Sequence, residues 1–86
     1  MPTSGALTMS LYSNGATLPR VSALHAWTRS GSQVTFSNPS TVNAWITQNA
    51  QPGDTLKWRT SAFGDGGALG TQTVSAAQFY SGEEQS

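Results

Sequence analysis

Turn-forming clusters divide this chain so finely that neither a long helix nor a continuous apolar span fits between them. Ser13-Asn14-Gly15, Arg29-Ser30-Gly31-Ser32, Ser37-Asn38-Pro39-Ser40, Asn49-Ala50-Gln51-Pro52-Gly53-Asp54 and Gly64-Asp65-Gly66-Gly67 follow one another at short intervals. Gly and Asn tolerate positive φ, and Pro fixes the φ that opens a turn, so each cluster is a chain reversal with a mechanism. The runs between them alternate apolar and polar residues and are rich in β-formers. That combination predicts an all-β domain, a sandwich or barrel of about six to seven antiparallel strands.

Six strands are expected: residues 6–12, 20–28, 33–37, 41–48, 55–60 and 71–76. Because strand side chains alternate between faces, each run sorts into two sets. Val34 and Phe36 oppose Gln33 and Thr35, and Leu56 and Trp58 oppose Thr55, Lys57 and Arg59. In the fourth run Val42, Ala44 and Ile46 oppose Asn43, Trp45 and Thr47. The second run, with Val21, Ala23, His25 and Trp27 against Ser22, Leu24, Ala26 and Thr28, leaves the buried face open. The expected core is Val21, Trp27, Phe36, Val42, Ile46, Leu56, Trp58 and Val74.

At 86 residues the chain has room for one domain. The polar ends suggest flexible arms over residues 1–5 and 81–86 around a domain at 6–80. A domain this small is marginal without a staple, and the chain has no Cys to make one. One His and four scattered carboxylates make a metal cluster improbable, and no cofactor is expected. Partner subunits are the help that remains.

Charge narrows the partners. Four basic and four acidic residues cancel, and only 9% of the chain is charged. Nucleic-acid binding by counterion release needs a concentration of Lys and Arg that is missing here. Membrane insertion is not expected, since no run approaches the roughly 18 apolar residues of a span. Ser, Thr, Gly, Gln and Asn make up almost half the residues, which gives a neutral surface of hydroxyls and amides. The start, Met1-Pro2-Thr3-Ser4-Gly5, has no basic and apolar leader. Synthesis in a host cytoplasm followed by work on a particle surface, as for virion proteins, fits both facts; secretion of a trimmed chain is the alternative.

Nucleophilic catalysis lacks its parts. His25 lies in a strand with no carboxylate closer in sequence than Asp54, so a structural histidine is the better reading. Asp54, Asp65, Glu83 and Glu84 sit in turns or near the end, and nothing holds two of them at a fixed separation. Gly64-Asp65-Gly66-Gly67 lacks the Lys-Ser/Thr of a phosphate loop and the oxygen series of a calcium loop. A non-enzymatic protein is expected.

Trp45 is the residue most suggestive of binding. On a strand it shares a face with Asn43 and Thr47, on the polar side of the sheet. An outward Trp flanked by amide and hydroxyl groups serves either as an anchor in a protein interface or as a stacking platform for a sugar ring. A Trp covered by a loop or by a cationic stem is the plain structural alternative. Lys57 and Arg59 alternate with Trp58 on the outer set and join Trp45, Asn43 and Thr47 as the expected binding residues for a partner or a glycan.

The stretch from Gln51 through Pro52-Gly53-Asp54 and Thr55-Leu56-Lys57-Trp58-Arg59 to Gly64-Asp65-Gly66-Gly67, followed by Thr71-Gln72-Thr73-Val74-Ser75, resembles the closing strands of immunoglobulin-like or fibronectin-type-III-like sandwiches. The resemblance covers about a third of the chain; the cysteine pair and an obvious tyrosine corner are absent. In size and composition the chain is also similar to the small accessory proteins that tailed phages add to heads or tails. These resemblances imply an immunoglobulin-like sandwich acting as a capsid decoration or head/tail accessory protein. Its implied partners are capsid or tail subunits and further copies of itself. A carbohydrate-binding module or lectin reading host-surface glycans through Trp45 is the alternative expectation.

Overall fold

In the computed structural model, which describes residues 3–64, 68–69 and 80–84, alternation along the first strand decides what is inside. In β1 (Ser4–Tyr12), Leu7, Met9 and Leu11 are buried on one face. Its antiparallel neighbour β2 (Val21–Ser30) is registered so that Gly5 meets Trp27, Leu7 meets His25, Met9 meets Ala23 and Leu11 meets Val21. Directly opposed residues share a face, so Val21, Ala23, His25 and Trp27 point inward. The open question about the second strand is thereby answered: Ser22, Leu24, Ala26 and Thr28 point out.

A two-residue loop joins β2 to β3 (Gln33–Phe36), with Ser30 paired to Gln33. Its first residue, Gly31, has φ +63° while Ser32 keeps a negative φ, the pattern of a hairpin turn that matches strand twist. β4 (Asp54–Trp58) follows a turn in which Pro52 and Gly53, the latter at φ +88°, let the Asp54 N–H reach the Gln51 carbonyl at 3.0 Å. It pairs antiparallel with the free side of β1, setting Leu56 beside Leu11 and Trp58 beside Met9. β5 (Ala68–Leu69) and β6 (Tyr80–Glu84) add in parallel at opposite edges, giving one curled sheet in the order β5-β3-β2-β1-β4-β6.

The fourth expected strand is a helix. Residues 41–48 belong to α1 (Pro39–Asn49). The apolar set Val42-Ala44-Ile46 fits a period of two, but Val42 and Ile46 also stand four apart, and these two are buried while Ala44 is exposed. The deciding signal lies just upstream. The Asn38 side chain accepts the Thr41 N–H at 3.3 Å, and Pro39 occupies the first turn, where its missing N–H costs nothing.

The chain is mostly sheet, as expected, but all six described strands belong to that one sheet. What packs on its inner face is α1 and a 3₁₀ turn at Thr60–Phe63. The core joins Leu7, Met9, Leu11, Trp27, Val34, Phe36 and Leu56 from the sheet to Val42, Ile46 and Phe63 from that cover. Val21 and Trp58, expected in the core, are partly buried against it. The strand expected at 71–76, with Val74, lies outside the described residues. Ser4 and Gly5, expected in an arm, open β1, and residues 81–84, expected in a tail, pair with β4.

Candidate functional site

The helix separates the residues that a strand would have grouped. At 100° per residue, Asn43 and Thr47 share a side of α1 and Trp45 lies nearly opposite. Trp45 is half-buried, packs against the core and meets His25 edge-to-face at 5.3 Å between ring centroids. It fastens the helix to the sheet, so the outward Trp is corrected to an inward anchor. Thr47 is exposed and Asn43 is half-buried.

Lys57 and Arg59 do lie on the outer side of β4, away from Trp45. Lys57 is half-buried, with its Nζ 4.8 Å from the centre of the Tyr12 ring, a cation–π contact between adjacent strands. Arg59 is exposed, just beyond the last β4 residue. The five expected binding residues therefore divide into two groups. Trp45, Asn43 and Thr47 lie on the helix over the inner face; Lys57 and Arg59 lie on the outer face.

That outer face is exposed over part of its area, with Ser10 and Tyr12 buried within it. Ala6, Thr8, Ser22, Leu24, Ala26 and Thr28 are all exposed on it. A groove of about 560 Å³ is lined by Thr8, Ser10, Tyr12 and Ser22 of this face together with Arg59 and with Ala62 of the 3₁₀ turn, among others. The Ser10 and Ser22 hydroxyls bond to each other at 2.8 Å across β1 and β2, which satisfies the buried Ser10. Lys57 is the one charged residue on this face within β1–β4. Such a surface suits area contact with another neutral surface.

Sequence reading identified Lys57 and Arg59 but missed Thr8, Ser10, Tyr12 and Ser22. The alternation of β1 carries that signal: once Leu7, Met9 and Leu11 are assigned inward, the even-numbered residues must face out.

Two further polar groups are structural. Asp54, 3% exposed, accepts the Gln51 N–H at 2.9 Å and forms an ion pair with Arg20, whose guanidinium also donates to the Asn49 carbonyl at the end of α1. A cation there complements the negative end of the helix. His25, 6% exposed, lies between Phe36 and Trp45, and its Nε2 has no hydrogen-bond partner. Burial pushes its pKa below the ordinary histidine value. Among the described residues no group of three or more His, Cys, Asp or Glu is placed to hold a metal ion. No described helix is long and apolar enough to cross a membrane.

No protein-family model matches the chain, and no curated protein or solved structure matches it either. The geometry stands as the guide to function.

Proposed function

We propose that this is a non-enzymatic binding protein that docks on a protein lattice through the outer face of its sheet, as a capsid decoration protein or a head/tail accessory protein of a phage particle. The observation that carries the reading is the asymmetry of the sheet. One face is packed against α1 and the 3₁₀ turn; on the other, Ala6, Thr8, Ser22, Leu24, Ala26 and Thr28 are exposed and uncharged, while Ser10 and Tyr12 are buried. Sheets that face water usually carry charged side chains that keep them single. This one has Lys57 alone over its central strands, with its ammonium on the Tyr12 ring.

The sandwich suggested by the sequence keeps a place in this reading. The described sheet supplies one layer, and a lattice subunit supplies the surface that the second layer of an immunoglobulin-like fold would provide. Each such contact is weak, and repetition on a lattice converts weak contacts into firm attachment. The partners are capsid or tail subunits and the place of action is the particle.

The direct test is mass spectrometry of phage particles purified from a culture that expresses the chain. Recovery in particles at a copy number on the scale of the lattice supports the reading. Recovery only in the soluble fraction, with particles complete without it, sinks it.

A further inference from the structure

We infer that Asn14 is a site of spontaneous covalent modification: its side-chain amide is lost through a cyclic imide formed with the Gly15 nitrogen, which leaves aspartate and isoaspartate in the β1–β2 connection. The reaction needs an asparagine open to water, a following residue that does not shield its own amide nitrogen, and a backbone free to bring that nitrogen onto the side-chain carbonyl carbon. Asn14-Gly15 is the one Asn-Gly pair in the chain. Every residue from 13 to 20 is exposed, and even a Cβ built on Gly15 would meet nothing within 4 Å.

The turn leaves the nucleophile available. The Ala16 N–H donates to the Ser13 carbonyl at 2.9 Å, and Gly15 has φ +77° while Asn14 keeps a negative φ. That is a type II turn, in which the amide joining the two central residues takes no part in the turn's own hydrogen bond. Glycine on the far side of that amide lets the link rotate at little steric cost. The other three asparagines lack this combination. Asn38 precedes Pro39, which has no N–H to give up. Asn43 lies inside α1, where the next amide is held in the helix ladder. Asn49 ends α1 with its side chain donating to the Trp45 carbonyl and the Ala50 N–H donating to the Ile46 carbonyl, both at 2.8 Å.

Water is the sole co-reactant. Hydroxide takes the Gly15 amide proton, the nitrogen attacks Asn14 Cγ, and the Cγ–Nδ2 bond breaks as ammonia leaves with a proton from water. A second water then opens the imide at one of its two carbonyls. Opening at Cγ gives aspartate in the original main chain. Opening at the main-chain carbonyl routes the backbone through Cγ, which adds a methylene to it and gives isoaspartate. Nothing is oxidised or reduced, and the sum is amide plus water to carboxylate plus ammonium. Either product gives a chain of zero net charge one excess negative charge. The new carboxylate stands beside the turn that leads into Asp54, since Asn14 Cβ lies 4.0 Å from where a Cβ on Gly53 would sit. The lengthened backbone of isoaspartate also breaks the spacing that the Ser13–Ala16 hydrogen bond requires. The inference is independent of the lattice reading, because the modification is measured on the chain alone.

The test is to incubate the full folded chain at neutral and mildly alkaline pH and follow it by mass spectrometry of tryptic peptides. Cleavage after Arg20 isolates residues 1–20, in which Asn14 carries the sole side-chain amide; cleavage after Arg29 and Lys57 isolates residues 30–57, which hold the other three asparagines. The expected result is that the 1–20 peptide gains the mass difference between an amide and a carboxylic acid and splits into two chromatographic species. Its rate should be at least tenfold above that of the 30–57 peptide, should rise with pH, and should stay close to that of the urea-unfolded chain. Gly15→Ala should slow it but also strains the turn, so Asn14→Gln, which keeps the glycine and would need a larger ring, is the second variant and should leave the 1–20 peptide unconverted. An amide that survives in the folded chain and is lost only on unfolding, conversion spread evenly over both peptides, a rate indifferent to pH, or unchanged conversion in Asn14→Gln overturns the inference.

Discussion

Gly5 and Trp27 face each other across β1 and β2 with no space for a side chain between them: a Cβ at residue 5 would lie 2.5 Å from Trp27 Cζ2. The obstacle is the indole of a buried residue that also meets Phe63 edge-to-face at 5.6 Å, so it has little room to retreat. Gly5→Ala is expected to destabilise the fold by about 1–3 kcal/mol, the usual cost of overpacking. Denaturant unfolding followed by tryptophan fluorescence measures it. An unchanged midpoint would mean that β1 does not pair as far as residue 5.

The Arg20–Asp54 pair joins the β1–β2 connection, the end of α1 and the start of β4. Asp54 is the more buried partner and also holds the Gln51 N–H, so its removal strands two donors at once. Asp54→Ala should cost about 2–4 kcal/mol. Arg20→Ala should cost less if the Asp54 carboxylate, still bonded to the Gln51 N–H, can draw in water at the vacated site. Thermal denaturation of the two variants ranks them, and a larger loss for Arg20→Ala would contradict this account.

These two relationships mark what could be read from the sequence and what could not. The first four strands of the fold were legible because Leu56-Lys57-Trp58 and Val34-Thr35-Phe36 alternate cleanly between turn signals. The helix was not, because Val42, Ala44 and Ile46 satisfy a period of two while Val42, Trp45 and Ile46 satisfy the helical period equally well. Eleven residues without a charge offer no solvent face to arbitrate. Ser37-Asn38-Pro39-Ser40 contained the answer, since Asn before Pro is a helix start as well as a turn. That single misreading turned Trp45 outward and with it the expected binding site. The ion pair was out of reach for a different reason: 34 positions separate Arg20 from Asp54, and only the pairing of β1 with both β2 and β4 brings them together.

His25 predicts an acid-sensitive fold. The elements packed around it present Leu7 from β1, Phe36 from β3 and Val42 and Trp45 from α1. Neither β3 nor α1 contains an ionisable side chain, and the one in β1, Tyr12, faces outward. Burial holds the native pKa below that of the unfolded chain, near 6.5. Below that pH the unfolded state binds the proton and the native state resists it, so stability is at its full value above about pH 7 and declines as pH falls. The slope approaches at most about 1.4 kcal/mol per pH unit, the limit for one proton. Urea midpoints measured from pH 7.5 to pH 5 should fall in the native chain and flatten in His25→Phe. Parallel declines in both would assign the acid sensitivity to other groups.

Trp45 and Thr8 separate anchoring from binding. Trp45→Ala removes the ring that packs on His25 and the core, so it should cost about 2–3 kcal/mol and loosen α1. Thr8→Glu changes an exposed residue in the outer groove and should leave stability within about 0.5 kcal/mol. If the outer face docks on a lattice, the order of effects on binding is reversed. Thr8→Glu places a charge against a neutral partner surface and should abolish retention on particles, whereas Trp45→Ala, studied below its unfolding temperature, should retain it. The pair also tests the glycan alternative, in which Trp45 is the platform and its loss should remove sugar-dependent fluorescence quenching from a chain that is still folded. Retention on particles by Thr8→Glu, or such selective loss of quenching in folded Trp45→Ala, would move the binding surface from the sheet to the helix.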